Sequence, residues 1–348
     1  MEKFHEHLIG HKDSIKTALE KLNYLTHLTL FAVNGDGILL GSITDGDIRR
    51  ALIKGIGLAD SIEKVINRNF VSFKKGKYSV HQINEIRERK IKLIPLLDDS
   101  GKILRLINLE TQKTVLPIDA VIMAGGEGQR LRPLTELLPK PLLRVGEKPI
   151  IEYSIDRLCS YGVENCFITV KYLGNKIIDY FGNGEDKGIR IIYIEETDVP
   201  LGTIGSVSLI DHFDHDHILV MNSDLLTNID LEDFFIEFER QDADMSVATI
   251  PYQVTVPYAV LEMNEELIKG FKEKPTYTYY SNAGIYLIKR KALERIPKGS
   301  SYNATDLMES LIKDGMKVTT YPMYCYWLDI GNPEDYKKAQ EDVKHIKF

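Results

Sequence analysis

Apolar and polar positions along this chain follow two different rhythms, and the rhythm changes near residue 117. In the first part, Leu30 to Val33 and Leu39 to Ile43 are short apolar runs separated by Asn34-Gly35-Asp36-Gly37. Such runs, broken by Asn-Gly and Asp-Gly steps, predict two strands joined as a hairpin. The order of Leu30 to Asp47 (strand, Gly-containing turn, second strand, polar run) returns at an offset of 64 residues in Ile94 to Thr111. Helical spacing precedes each copy, around Ser14–Leu22 and Ser79–Arg89. Asp45-Gly46-Asp47 opens a further helix that stops at Gly55. Residues 1–115 therefore read as two copies of one small α/β unit, about 1–58 and 59–115, packed face to face. Lys113 to Pro117 is a short connector. Beyond it, continuous apolar strands (Ala120–Met123, Cys166–Val170, His217–Met221) alternate with helical spacings. Ile151, Ile155 and Leu158 form one such spacing, and Leu231, Phe234, Phe235 and Phe238 another. That alternation predicts a parallel α/β sheet over 118–348, and the helical stripes are core positions.

Length and composition agree with two folded units. The chain has 348 residues, 43% apolar and 27% charged, which excludes global disorder, collagen and coiled coil. No apolar run approaches the roughly 18–20 residues of a membrane helix. The N-terminal segment has no apolar core after its charges, so no signal peptide is expected. Cys159, Cys166 and Cys325 lack metal spacing and form no disulfide framework. The expectation is a soluble, cytoplasmic protein with reduced thiols and no membrane partner. Charge is divided: residues 1–117 carry 19 Lys and Arg against 14 Asp and Glu, a net of +5. The remainder carries 25 against 37, a net of −12. Two units with different ligands would produce this, as would ordinary solvated surfaces; no nucleic-acid-binding stripe is present.

The candidate chemistry lies in the second unit. The strand Ala120–Met123 runs into Ala124-Gly125-Gly126-Glu127-Gly128-Gln129-Arg130. A Gly-rich turn leaving a parallel strand lets backbone N–H groups approach a polyphosphate. No Gly-Lys-Ser/Thr follows, so this is not a Walker loop. The next strand ends in Lys171 rather than in an acid that would hold a ribose, which argues against a dinucleotide fold. Arg130 and, ten residues later, Lys140 between Pro139 and Pro141 add a planar fork and a point charge suited to phosphate.

This segment resembles the Gly-Gly-x-Gly-Thr-Arg-Leu-x-Pro-Leu-Thr…Pro-Lys-Pro signature of sugar-phosphate nucleotidylyltransferases, with Gln129 in place of the usual Thr. The resemblance extends from about Ile118 to about Gln340. Pro200-Leu201-Gly202-Thr203-Ile204-Gly205 resembles the family's base-binding turn, and Asn222-Ser223-Asp224 its metal position. Glu273-Lys274-Pro275 resembles the sugar-phosphate motif, Asn282-Ala283-Gly284 the sugar-binding motif, and Trp327-Leu328-Asp329 the second acid.

The resemblance implies a Rossmann-like mixed sheet and an enzyme that transfers a nucleotidyl group from an NTP to a sugar 1-phosphate. Its nucleotide site would comprise Ala124, Gly125, Gly126, Gly128, Leu201, Gly202 and Thr203. Its catalytic groups would be Arg130, Lys140, Asp224 and Lys274. Glu273, Asn282 and Gly284 would hold the sugar, and Asp224 with Asp329 would hold Mg²⁺. A catalytically inactive sensor is the alternative of a different class. The presence of all the cations and acids argues against it.

The first unit resembles a tandem CBS-domain pair, with the hallmark Gly-x-x-(Ser/Thr)-x-x-Asp at Gly41-Ser42-Ile43-Thr44-Asp45-Gly46-Asp47. That implies an adenine nucleotide at Thr44 and Asp47, or a purely structural pair that serves homo-oligomerisation. Asn108 and Thr111 are the equivalents in the second copy, which lacks the acid. A CBS pair ahead of such a transferase is similar to the guanylyltransferases of the legionaminic acid pathway, whose sugar is glucosamine 1-phosphate. GTP and glucosamine 1-phosphate are therefore the expected substrates. GTP with mannose 1-phosphate, or glucose 1-phosphate with dTTP or UTP, are the alternatives. Three alternating histidines, His212, His215 and His217, are read as a surface turn and strand start rather than a metal clamp.

Overall fold

The computed structural model describes residues 4–196 and 200–348. The chain divides into two compact units. One is Met1–Pro117 with Cys159–Gly162 and Glu185–Gly188; the other is Ile118–Leu158, Val163–Gly184 and Ile189–Phe348.

The N-terminal unit contains the predicted duplication. Its first half comprises β1 (Leu8–Gly10), α1 (Ile15–Leu22), β2 (Thr29–Val33), β3 (Leu39–Thr44) and α2 (Asp45–Ile53). Its second comprises β4 (Phe73–Lys74), α3 (Val80–Glu88), β5 (Leu93–Leu97) and β6 (Ile103–Asn108). The sheets β1-β2-β3 and β4-β5-β6 share one pattern, a parallel pair followed by an antiparallel hairpin. Ser14 and Ser79 cap α1 and α3, as serine does when its hydroxyl accepts an orphan N–H. Where the first half continues into α2, the second ends in a turn that starts at Asn108. Gly41 is required by packing: a Cβ there would lie 2.5 Å from the Asn67 carbonyl oxygen.

The larger unit is built on a mixed seven-stranded sheet, which agrees with the Rossmann-like expectation. Its strands are β7 (Ile118–Ala124), β10 (Asn165–Val170), β11 (Arg190–Glu195), β12 (His217–Asn222), β14 (Met245–Thr255), β17 (Thr276–Lys289) and β18 (Val318–Pro322). Their order is β11-β10-β7-β12-β17-β14-β18. The first four are parallel, and β17 is antiparallel to both of its neighbours. Around them lie the two-residue strands β8 (Arg144–Val145) and β9 (Lys148–Pro149), and the helices α4 (Ile150–Ser160) and α5 (Gly174–Phe181). Then come β13 (Leu225–Thr227), α6 (Leu231–Gln241), the hairpin β15 (Val260–Asn264) and β16 (Leu267–Lys272), and the helices α7 (Arg290–Leu293) and α8 (Ala304–Lys313). The short β19 (Trp327–Asp329) and α9 (Pro333–Asp342) close the unit.

The chain starts in the middle at β7, moves out through β10 to β11, then returns to β12 on β7's other side. That reversal leaves a crevice beyond the carboxyl ends of β7 and β12, where ligands bind in open α/β sheets. The core beneath it is Val121, Phe167, Val220, Val247 and Tyr286 with residues of α8, and the predicted stripe of α4 (Ile151, Ile155, Leu158) is buried.

At the opposite end of β7, Asp119 is fully buried. It accepts from Asn165 Nδ2 at 2.7 Å and from the His215 N–H at 2.9 Å, and its Oδ1 lies 3.0 Å from His215 Nδ1. The middle histidine of the alternating run is thus a structural partner. Burial alone would raise the Asp119 carboxyl, but His215 and Asn165 outweigh it and hold it below the ordinary range. A carboxylate so held stabilises the fold above its unfolded pKa, and the contribution is lost as pH falls through the folded one. Replacing Asp119 with alanine should cost about 2–4 kcal/mol in urea denaturation at pH 7. The gap to wild type should narrow below about pH 4.

Candidate active site

Beyond β7 and β12 lies a cavity of about 620 Å³, within the range of small-molecule sites. Its lining includes Gly125, Gly126, Gly128, Arg130, Lys140 and Asp224, together with Thr169, Lys171, Glu196, Leu201, Gly202, Thr203 and Ser206.

The glycines of the first loop serve different ends. Gly128 has φ +62°, and a Cβ on it would lie 2.9 Å from the Lys140 Cβ. Its carbonyl accepts from Thr135 Oγ1 at 2.9 Å. The loop is therefore folded back on the Lys140 segment, and only glycine allows the approach. A Cβ on Gly125 would meet the Glu196 carboxylate at 2.8 Å. Among the described residues, a Cβ on Gly126, which lines the cavity, would meet nothing within 4 Å. Ala124, expected at the nucleotide, is instead the buried last residue of β7 and lies outside the cavity lining, because its backbone is paired in the sheet.

The acids meet through a second, smaller ladder. β13 pairs antiparallel with β19, setting Leu225 opposite Asp329, and the Ile330 N–H donates to the Asp224 carbonyl at 3.1 Å. Two aspartates 105 positions apart in sequence thereby become neighbours. Lys140 Nζ donates to Asp224 Oδ2 in a largely buried ion pair. Burial, then the charge of Asp224, raises the Asp329 carboxyl, while Lys140 and Arg130 oppose the rise. Asp224 Oδ1 and Asp329 Oδ1 are both buried and accept no hydrogen bond. Adjacent carboxylates with unused buried oxygens suit a hard divalent cation. Mg²⁺ takes few protein ligands and completes its shell with water and phosphate oxygens. Among the described residues, no group of three or more His, Cys, Asp or Glu could hold a metal ion.

The turn expected to bind the base has a further reason for its glycines. A Cβ on Gly202 would lie 2.7 Å from the Tyr302 carbonyl, and one on Gly205 2.5 Å from that of Ser300. Ile204 and Gly205 both donate to the Tyr302 carbonyl, and Thr203 Oγ1 accepts from the Ala304 N–H at 2.9 Å. The small residues fit the turn against the chain's own backbone, while Leu201, Gly202 and Thr203 still line the cavity.

The residues expected to hold the sugar and its phosphate do not line this cavity, although Gly284 packs on Asn222, which does. β14 and β17 outrun the sheet, and Glu273 and Lys274 sit exposed at the start of the return strand, Lys274 at φ +43°. Asn282 is bonded within its own turn, donating to Tyr286 Oη and accepting from the Gly284 N–H, each at 2.9 Å. Gly284 (φ +71°) packs against Asn222, since a Cβ there would meet Asn222 Nδ2 at 2.5 Å. In the N-terminal unit, Thr44 and Asp47 form the capping box of α2, and Arg50 pairs with Asp47 at 2.6 Å. In the second half, Asn108 is bonded to His27.

Glu196 and Thr169 carry no expectation from the sequence, and Lys171 entered it only as the strand-end residue that argues against a dinucleotide fold; all three line the cavity. Burial raises the Glu196 carboxyl, against opposing bonds from Ser206 and the Leu201 N–H and the charge of Lys171. Its sequence signal, an acid following an apolar strand, was submerged in the acidic run 195–198.

A family model described as nucleotidyl transferase matches residues 119–345. A mannose-1-phosphate guanylyltransferase of Mycobacterium tuberculosis is 31% identical over 233 residues, 65% of this chain and 64% of that protein. A UTP–glucose-1-phosphate uridylyltransferase of Synechocystis is 29% identical over 254 residues, 66% of this chain and 65% of that protein. The chain thus spans slightly less than two thirds of the length of these relatives. A crystal structure of a candidate glucose-1-phosphate thymidylyltransferase from Bacillus anthracis, in complex with a sucrose, aligns at TM-score 0.55. It is 24% identical and covers 66% of this chain and 97% of that one, a likeness of fold.

The two loop glycines should respond differently to alanine. Gly128→Ala should lower stability by about 1–3 kcal/mol in thermal or urea unfolding, from its φ and its contact with Lys140. Gly126→Ala should stay within about 0.5 kcal/mol of wild type.

Proposed function

The chain belongs to the nucleotidyl transferase family, and from that premise we propose that it transfers a nucleotidyl group from a nucleoside triphosphate to a sugar 1-phosphate, releasing pyrophosphate. The observation that supports this reading is the gathering of Arg130, Lys140, Asp224 and Asp329 around one Gly-lined crevice. The attacking group is a phosphomonoester whose second pKa is about 6, so it is already anionic at pH 7 and needs no general base. Catalysis then consists of in-line placement and charge neutralisation. The backbone at Gly125 and Gly126 approaches the triphosphate, Arg130 forks onto its outer phosphates, and Lys140 steadies the incoming sugar phosphate. Mg²⁺, held by Asp224 and Asp329, neutralises phosphate charge when bound. By resemblance, Lys274 is assigned to the sugar phosphate and Glu273 and Asn282 to the sugar hydroxyls, and the segment that carries Glu273 and Lys274 would have to approach the crevice to act.

For the base, GTP is the first choice. Glu196 stands at the cavity wall against Gly125. Guanine presents two adjacent N–H donors to a carboxylate, whereas uracil and thymine present one N–H between two acceptors. Glucosamine 1-phosphate is the first acceptor to test, followed by mannose and glucose 1-phosphates. For residues 1–115 the reading is a tandem CBS pair that takes an adenine nucleotide at Thr44 and Asp47 and supports oligomerisation. Titration of the full chain with adenine nucleotides at millimolar concentration tests it, and the absence of binding removes the sensing role.

Pyrophosphate release should be measured with GTP, UTP, dTTP and ATP crossed with glucosamine, mannose, glucose and N-acetylglucosamine 1-phosphates. Turnover is expected with GTP and at least one acceptor, and silence in every pair would overturn the reading. Asp224→Asn should lose at least about 100-fold in kcat, by analogy with removal of other transition-state charge stabilisers. Glu196→Gln should lower kcat/KM for GTP by about tenfold or more while changing UTP less. An equal loss for both nucleotides would remove Glu196 from base selection.

A further inference from the structure

β10 is buried along its whole length, and two of its side chains need hydrogen bonds there, those of Asn165 and Thr169. Asn165 donates to Asp119 at 2.7 Å. Thr169 is 1% exposed, and its Oγ1 has no hydrogen-bond partner among the described residues. Burying a hydroxyl unpaired is unfavourable. Valine has the same outline and would continue the apolar row from Phe167, two positions back in the core. Among the described residues, the hydroxyls of Thr114, Thr249 and Thr319 are also buried and unpartnered, but of these four threonines only Thr169 lines the cavity.

The sheet register fixes what stands near that hydroxyl. Thr169 pairs with Met123 of β7 and with Ile194 of β11. Two positions further along each strand, where residues share a face, Gly125 and Glu196 are directed at each other. A Cβ on Gly125 would lie 2.8 Å from the Glu196 carboxylate. The Glu196 N–H donates to the Val170 carbonyl at 2.9 Å, which carries the ladder past the strand end. Thr169 thus lies one row beneath the place where Gly125 and Glu196 meet. We propose that the Thr169 hydroxyl hydrogen-bonds the base of the nucleotide. On the transferase reading above, on which this rests, it is a second base contact beside Glu196. The Glu196 carboxylate repels phosphate oxygens and suits the ring N–H groups of a base, while Arg130 and Lys140 are the partners for phosphate. A hydroxyl both donates and accepts, so it pairs with a base edge of either polarity.

Thr169→Val in the full-length chain removes the hydrogen bond and keeps the shape. Its KM for GTP (or for UTP, dTTP or ATP where one of these is the nucleotide turned over) should rise about three- to tenfold. Its kcat should stay within about twofold of wild type, the mark of lost uniform binding. Thr169→Ser keeps the hydroxyl and should restore most of the affinity. Inorganic tripolyphosphate, which has no base, should inhibit wild type and Thr169→Val with the same constant. The urea midpoint of Thr169→Val should equal or exceed that of wild type, because a buried unpaired hydroxyl has gone. An active wild type whose Thr169→Val variant keeps its nucleotide KM would overturn the assignment and leave the transferase reading standing. Three other results would do the same. One is equal weakening of tripolyphosphate, which would put the hydroxyl at the phosphates. Another is a lowered urea midpoint, which would mean that the fold or a resident water already satisfies the hydroxyl. The third is a Thr169→Ser variant as weak as Thr169→Val. A wild type inactive with every nucleotide would remove the transferase reading and this contact with it.

Discussion

Two carboxylates held side by side, with two cations close enough to restrain them, set the terms for the rest of the larger unit. Asp224 and Asp329 repel each other, and in a half-buried setting the repulsion is poorly screened. The β13–β19 ladder forces them together, and Lys140 and Arg130 make the arrangement tolerable. The Lys140–Asp224 pair has a further consequence. A group expected at the sugar phosphate and a group expected at the metal occupy each other's charge in the structure. A polyanion and a divalent cation arriving together would satisfy both partners at once, whereas either alone would leave one buried charge uncompensated.

The backbone is shaped around this cluster. The loop after β7 folds back so tightly that Gly128 touches the Lys140 segment, and Gly125 lies against Glu196. Gly126 lines the cavity, and a Cβ on it would meet no described residue within 4 Å. The turn at 201–205 is pinned to residues 300–304 by backbone bonds, so this part of the cavity wall is anchored by a segment about a hundred positions away. Motif glycines that look like one device in the sequence thus divide into those the chain needs for itself and those it leaves to a ligand.

Much of the architecture was legible in the sequence because its signals are local. The hairpin turns, the helical spacings that became α1 and α3, the apolar stripe of α4, and the strands that became β7, β10 and β12 all depend on neighbours within a few residues. The duplication in residues 1–115 was visible for the same reason. Less legible were Glu196, Thr169 and Lys171, whose importance comes from facing one cavity from different strands, and His215, which turned out to support Asp119. Lys274, expected at the sugar phosphate, and Glu273 and Asn282, expected at the sugar hydroxyls, lie outside the cavity lining, on the part of β17 and the turn before it that continues past the sheet.

By itself, the sequence determined where strands and helices form, where the chain turns on glycine, and which cations and acids are available, since each follows from the chemistry of adjacent residues. Only the tertiary structure decided that Asp224 and Asp329 would adjoin and that Lys140 would answer the first of them. Those outcomes depend on strand pairing between distant segments, where a shift of one register position would turn each side chain to the other face.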